Sequence, residues 1–133
     1  MLKKSKQTKT RRGFTLVELL VAIFVLALGV AGALNFFVGS AAAVRYAEDL
    51  TTAYVHLEYV LEEMKTYEEP SEIPDNDWSA WAAGKELNDL PAESFSVSYP
   101  GGTDVDPLQI QVSVSWIRRG ETQTVSLATQ IAG

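Results

Sequence analysis

Glu18 is the one charged side chain in an apolar run from Phe14 to Leu34, FTLVELLVAIFVLALGVAGAL. An ionised carboxylate at the centre of a bilayer costs ~2.5–3.5 kcal/mol on insertion scales, and less near a helix end. A carboxylate kept in such a run needs a partner, and its own helix offers none. The residues just before it suggest one. Arg11-Arg12-Gly13-Phe14 joins a basic stretch to the apolar run through a glycine, whose missing side chain leaves room for a protease to approach the backbone. Cleavage after Gly13 creates an α-amine at Phe14. On packed neighbouring helices, that amine and the Glu18 carboxylate would neutralise each other and fix the axial stagger of one helix against the next.

Other residues with chemical potential are fewer. There is no cysteine, so disulfide, iron–sulfur and zinc-thiolate chemistry is excluded. His56 is the only histidine and falls off the apolar stripe of its helix, so it is expected to be solvated, with no base–nucleophile pair nearby. Asp75-Asn76-Asp77 and Asp104-Val105-Asp106 offer oxygens but lack the spacing of a calcium loop, so they read as turns, and no metal or other cofactor is expected. Trp78 and Trp81, three apart on a short helix, read first as packing residues; as an exposed pair they are a candidate partner surface.

The element carrying Glu18 is a helix. Its 21 apolar residues span ~31 Å, enough to cross the hydrocarbon core. After Glu18 no charge appears until Arg45, and no proline occurs from Phe14 to Glu69, so one helix can run through. Small residues around Gly29, Ala31, Gly32 and Ala33 suit close helix packing in a membrane. Beyond the span, Ala47, Leu50, Tyr54, Leu57, Leu61 and Met64 recur at spacings of three and four, which predicts one apolar stripe facing a folded domain. Glu69-Pro70 is expected to end the helix. Within a proline-containing segment over 70–94, Asp77 to Ala83 followed by Gly84 reads as a short capped helix.

The C-terminal part is β. Phe95, Val97 and Tyr99 alternate with serines, and Pro100-Gly101-Gly102 turns the chain. Two longer strands, Leu108–Ile117 and Glu121–Ile131, flank a two-residue turn at Arg119-Gly120. That register sets Val114 opposite Val125, Val112 opposite Leu127, Ile110 opposite Thr129 and Leu108 opposite Ile131, all on the face of Trp116. It also sets Arg118 opposite Glu121 as a cross-strand charge pair.

Charge divides the chain in the same place. Residues 1–13 hold Lys3, Lys4, Lys6, Lys9, Arg11 and Arg12 and no acid. The remainder has five basic and seventeen acidic side chains, a formal −12 concealed within the overall −6. An acidic body of this kind repels phosphate, so nucleic acid is not an expected partner. The basic segment is better placed on the cytoplasmic side of a membrane.

Gly13-Phe14-Thr15-Leu16-Val17-Glu18, behind a short basic leader, resembles the class III signal of type IV prepilins and of type II secretion pseudopilins. The resemblance is tight over residues 11–34. It implies cleavage between Gly13 and Phe14 by a prepilin peptidase, N-methylation of Phe14 by the same enzyme, and an assembly role for Glu18. LVAIFVLALGVAGAL is similar to the V-type pilus-modification minor pilins, and VSVSWIRRGETQTVSLATQI to the last hairpin of those proteins and of the I-type minor pseudopilin.

The expected fold is therefore α+β and pilin-like, a long N-terminal helix on a small antiparallel sheet. The expected organisation is a cleaved leader over 1–13, a transmembrane helix over 14–34, its amphipathic continuation over 35–69 and a small exported domain over 70–133. The resemblance implies a non-enzymatic minor pilin that initiates or modifies a type IV pilus. It would stand single-pass in the bacterial inner membrane, N-terminus cytoplasmic and C-terminal domain periplasmic, with other pilins as partners. The alternatives are a minor pseudopilin of type II secretion and an adhesive or ligand-binding tip module. Ala31-Gly32-Ala33 also has the form of an ordinary signal-peptidase site, a reading that leaves Glu18 unexplained.

Overall fold

The computed structural model describes residues 13–133. One long helix, α1, covers Leu16–Met64. A 3-10 turn at Pro70–Glu72 and a short helix α2, Trp78–Gly84, lead to three strands: β1 Ser94–Ser98, β2 Leu108–Arg118 and β3 Glu121–Ile131. The chain divides into two compact units, residues 1–42 and Ala43–Gly133.

In the first unit, α1 is apolar on every side and its residues up to Val38 are all exposed. It is long and apolar enough to cross a membrane.

In the second unit, the remainder of α1 packs on the sheet, the α+β arrangement expected. The strands lie in the order β1-β2-β3, all antiparallel. The hairpin forms in the expected register, from Leu108 opposite Ile131 through Val114 opposite Val125 to Arg118 opposite Glu121. Arg119 and Gly120 have φ of 54° and 79°, the left-handed pair that a two-residue turn between twisted strands requires. Leu108, Ile110, Val112, Val114 and Trp116 then share one face, each no more than 1% exposed. They meet Leu57, Val60, Leu61 and Met64 of α1, with Ile73, Trp78 and Leu90 closing the core from the connecting segment. On the opposite face, hydroxyl pairs Ser113–Ser126 and Ser115–Thr124, at 2.8 and 2.9 Å, replace apolar contacts.

Four expectations are corrected. First, the buried face of α1 is Asp49, Ala53, His56, Leu57, Val60, Leu61 and Met64. Ala47 and Tyr54 lie outside it and Leu50 only borders it. The expected stripe was rotated because it left Asp49 and His56 out as polar, yet both are buried. Second, α1 stops at Met64 rather than at Glu69. The Thr66 hydroxyl takes the Glu63 carbonyl at 2.7 Å, and tight backbone bonds from Thr66 to Glu63 and from Tyr67 to Met64 close the last turn. Third, Arg118 faces Glu121 across the hairpin but does not pair with it. Its guanidinium forks onto Asp49 of α1, Nε to Oδ2 at 2.8 Å and Nη2 to Oδ1 at 2.5 Å. A planar fork fits a carboxylate in this bidentate way. The short helix keeps its expected N-cap, with Asp77 Oδ1 accepting from the Ala80 N–H at 3.1 Å. Fourth, at its other end Gly84 stays helical and the left-handed residue is Glu86, at φ 58°.

The hydrogen bonds from Arg118 hold the Asp49 carboxyl below its usual value, against burial, with help from the Trp116 indole. That indole nitrogen is buried and faces Asp49 without reaching hydrogen-bond geometry. A carboxyl whose folded value is lowered contributes stability that is present above the unfolded value, about pH 4, and lost as the pH falls below it. Urea denaturation of residues 43–133 should therefore lose stability below about pH 4. Asp49→Asn should be less stable at neutral pH and show a shallower acid slope. An unchanged acid slope would show that this pair is not the source.

Candidate processing and assembly site

The local structure around Gly13 follows from which residues can start a helix. Gly13, Phe14 and Thr15 precede α1, are non-helical and are exposed, Phe14 at 87%. Thr15 caps the helix: its Oγ1 accepts the Glu18 N–H at 3.1 Å and its carbonyl accepts the Leu19 N–H. Thr15-Leu16-Val17-Glu18 thus has the form of a capping box, a signal readable in the sequence that the charge argument passed over. Glu18 stands in the first turn of α1, where the helix dipole favours a negative charge. Among the described residues its carboxylate forms no hydrogen bond or ion pair. The basic side chains of residues 1–12 lie outside the described residues.

The chemistry this permits is limited and specific. The Gly13–Phe14 peptide bond lies in an exposed, non-helical segment. The Glu18 carboxylate lies one turn further in, on an exposed apolar surface.

His56 stands differently from its expected solvated place. It is 5% exposed, with Nδ1 2.5 Å from Glu93 Oε1 and Nε2 3.0 Å from Asp89 Oδ2. Both ring nitrogens donate at once only in the imidazolium form. The Glu93 side chain is fully buried, and its other oxygen accepts the Leu90 N–H at 3.0 Å. Among the described residues no nucleophilic side chain bonds this cluster, which fastens α1 to the segment ahead of β1. Nothing in the sequence near His56 announces it, because both carboxylates lie more than thirty positions away.

Of the tryptophan pair, Trp78 follows the packing reading. Trp78 is 3% exposed, donates from Nε1 to the Ile73 carbonyl at 2.9 Å and packs edge-on to Tyr67, so it belongs to the core rather than to a partner surface. Trp81 is half-buried, between Tyr59 and Trp78, with Lys85 Nζ 5.6 Å from its ring. Asp77 is spent as the α2 cap, and Asp106 accepts from the Gly133 N–H. Among the described residues no three His, Cys, Asp or Glu side chains are grouped to hold a metal ion.

Removing His56 leaves a fully buried carboxylate facing an empty place. His56→Ala in residues 43–133 should cost about 3 kcal/mol or more of unfolding free energy in urea. Adding Glu93→Gln should recover part of that loss, since the stranded charge is then gone. Equal stability of the single variant and the wild type would show the cluster to be no staple.

Comparison with known proteins adds one match. Residues 8–34 fit the prokaryotic N-terminal methylation motif. No curated protein and no solved structure matches the chain. The match spans the Gly13–Phe14 junction, Glu18 and the whole apolar run from Phe14 to Leu34, and it supports a subunit of the type IV pilin or pseudopilin class, whose role is structural.

Proposed function

We propose that this chain is a minor pilin, a subunit that initiates or modifies a type IV pilus. The observation that carries the proposal is the coincidence of three features within residues 8–34: the methylation motif, an accessible non-helical Gly13–Phe14 bond, and a lone carboxylate in the first turn of an exposed apolar helix. Residues 1–13 act as the leader, and prepilin peptidase cleaves it and methylates the Phe14 amine. Residues 14–34 cross the inner membrane with the leader inside. The amphipathic part of α1, within 35–69, and the sheet domain over 70–133 are exported. The small three-stranded body and the absence of a C-terminal disulfide favour a minor subunit over a main filament protein.

In this mechanism the Thr15 cap and the helix dipole hold Glu18 in the precursor. Cleavage then supplies a positive amine at Phe14. A helix does not fold its terminus back onto an outward side chain of its own first turns, so the partner amine belongs to a neighbouring subunit. The apolar surroundings make this pairing a condition for tight packing, and they set the axial stagger.

Two measurements test it. Mass spectrometry of the N-terminal peptide from membranes should show a chain beginning at methylated Phe14; a start at Leu34 would establish ordinary signal-peptidase cleavage instead. Glu18→Gln should be cleaved and inserted as the wild type is. Its content in sheared filaments should fall by about tenfold or more, the equivalent of ~1.4 kcal/mol. Wild-type incorporation of the variant would remove the charge pairing from the mechanism. Loss of a secreted protein rather than of filaments in a deletion strain would move the subunit to a secretion pseudopilus.

A further inference from the structure

Residues 86–93 form a strap that leaves α2, meets α1 at His56 and continues into β1. Two non-glycine residues in the left-handed conformation bound it, Glu86 at φ 58° and Ala92 at φ 52°. Such residues carry backbone strain that their surroundings must hold in place. The last turn of the strap is tied to itself and to the sheet. Glu93 Oε2 takes the Leu90 N–H at 3.0 Å, the Glu93 N–H bonds the Leu90 carbonyl, and the Pro91 carbonyl accepts the Ile117 N–H at 2.9 Å. Residues 87–89 have less to hold them. The Leu87 N–H bonds the Ala82 carbonyl and the Asn88 N–H bonds that of Glu86, both local. Among the described residues, the Asp89 side chain bonds only His56. A cleft of about 320 Å³ is lined by Ser79 and Ala83 of α2 and by Leu87, Asn88 and Glu93 of the strap, which therefore has room to move.

What fastens the strap depends on the charge of the imidazole. Ionised carboxylates only accept, so Nδ1 must donate to Glu93 and Nε2 to Asp89. The strap brings those two anions, and β1 brings the Phe95 ring, 6.3 Å from the imidazole. The turns of α1 on either side of His56 bring Tyr54, Glu58 and Tyr59. None of these groups is a cation, and Lys85, just before the strap, lies over the Trp81 ring. The imidazolium thus satisfies both carboxylates. Once the ring is neutral, one of its nitrogens turns a lone pair on a carboxylate. Glu93, whose side chain is fully buried, cannot turn to water and keeps the remaining N–H. Asp89, whose side chain is 69% exposed, can turn to water and does.

We propose that His56 is a proton-operated latch on this strap. As the imidazolium it clamps residues 86–93 to α1. On losing its proton it releases Asp89, and residues 87–89 swing away from α1 while Glu93 stays in place. The clamp needs the proton, so it is complete at low pH and is lost as the pH rises through the imidazole titration. Opening widens the cleft and uncovers Leu87, which the closed strap keeps half-buried against the core. The apolar surface offered beside α2 therefore changes with pH. The latch lies wholly within residues 43–133 and stands whether or not the processing proposed above occurs.

The chain has no cysteine, so one introduced thiol takes one label. A nitroxide on Asn88→Cys, exposed in the middle of the strap, is read by electron paramagnetic resonance in the full chain in detergent. Thr122→Cys, exposed on β3, is the control. The pH is raised from about 5.5 to about 9, a range that brackets ordinary imidazole titration and leaves ordinary carboxylates, tyrosines and lysines alone. The mobile component at residue 88 should grow from the minor to the major one, with the spectrum at residue 122 unchanged. His56 is the only histidine, so its ring proton resonance in the same chain should titrate with the same midpoint. Asp89→Asn separates a latch from a plain staple. Its amide accepts from the imidazolium and donates to the neutral ring, so the strap should stay immobile at both ends of the range. His56→Gln has no proton to lose, and its strap should be mobile throughout. If His56→Gln unfolds the chain, Asp89→Asn decides alone. A residue 88 spectrum that does not change with pH, an equal change at residue 122, or a response that survives Asp89→Asn overturns the proposal.

Discussion

The contact between one face of α1 and the inner face of β2 is the constraint on which the C-terminal body rests. Five alternate residues of β2 are almost wholly removed from water, and they have one large apolar surface to meet, the side of α1 carrying Leu57, Val60, Leu61 and Met64. A body of about ninety residues can only just stabilise itself by burial. With no cysteine, it has no covalent staple to replace that contact. Two polar fastenings fix where the helix lies on the sheet. Asp49–Arg118 ties it to the hairpin end, and His56–Glu93 ties it to the segment ahead of β1. Both are long-range and both are specific in geometry, so sliding or rotating the helix would strand a buried charge.

The same helix obeys a different rule in its N-terminal unit. There, apolar side chains point outward on every side, and among the described residues nothing covers them. One continuous run of backbone hydrogen bonds therefore carries a surface that is apolar on every side in the first unit and a face packed on a sheet in the second. Gly29, Gly32 and Gly39 lie in the part that has no sheet to answer to, and a Cβ added at any of them would meet open space.

What could be read from the sequence depended on how far apart the relevant residues lie. The processing motif is contained in eight consecutive residues, so it was legible in full, and the hairpin register followed from a turn and two alternating strands that adjoin it. The cap of α2 by Asp77 is equally local. The helix face was misread by roughly one position because periodicity assigns polar residues outward. Asp49 and His56 point inward because Arg118, Glu93 and Asp89 are there to meet them. Those partners lie between thirty-three and sixty-nine positions away, and no local pattern couples them. Trp78 followed the reading that tryptophans three apart are packing residues, its indole N–H satisfied by a nearby carbonyl.

The separation of Asp49 from Arg118 also bears on the order in which the body is made. The helix face emerges first from synthesis, and the strand it packs against comes only after the whole connecting segment. Until β2 exists, that face has no cover, and the two polar groups on it are hydrated rather than paired. They interrupt what would otherwise be a sticky stripe at the time when the chain is most exposed to wrong partners. Once the hairpin closes, the same groups become bonds that register the helix. Asp49 and His56 thus act in sequence, first as breaks in an adhesive surface and later as its locks.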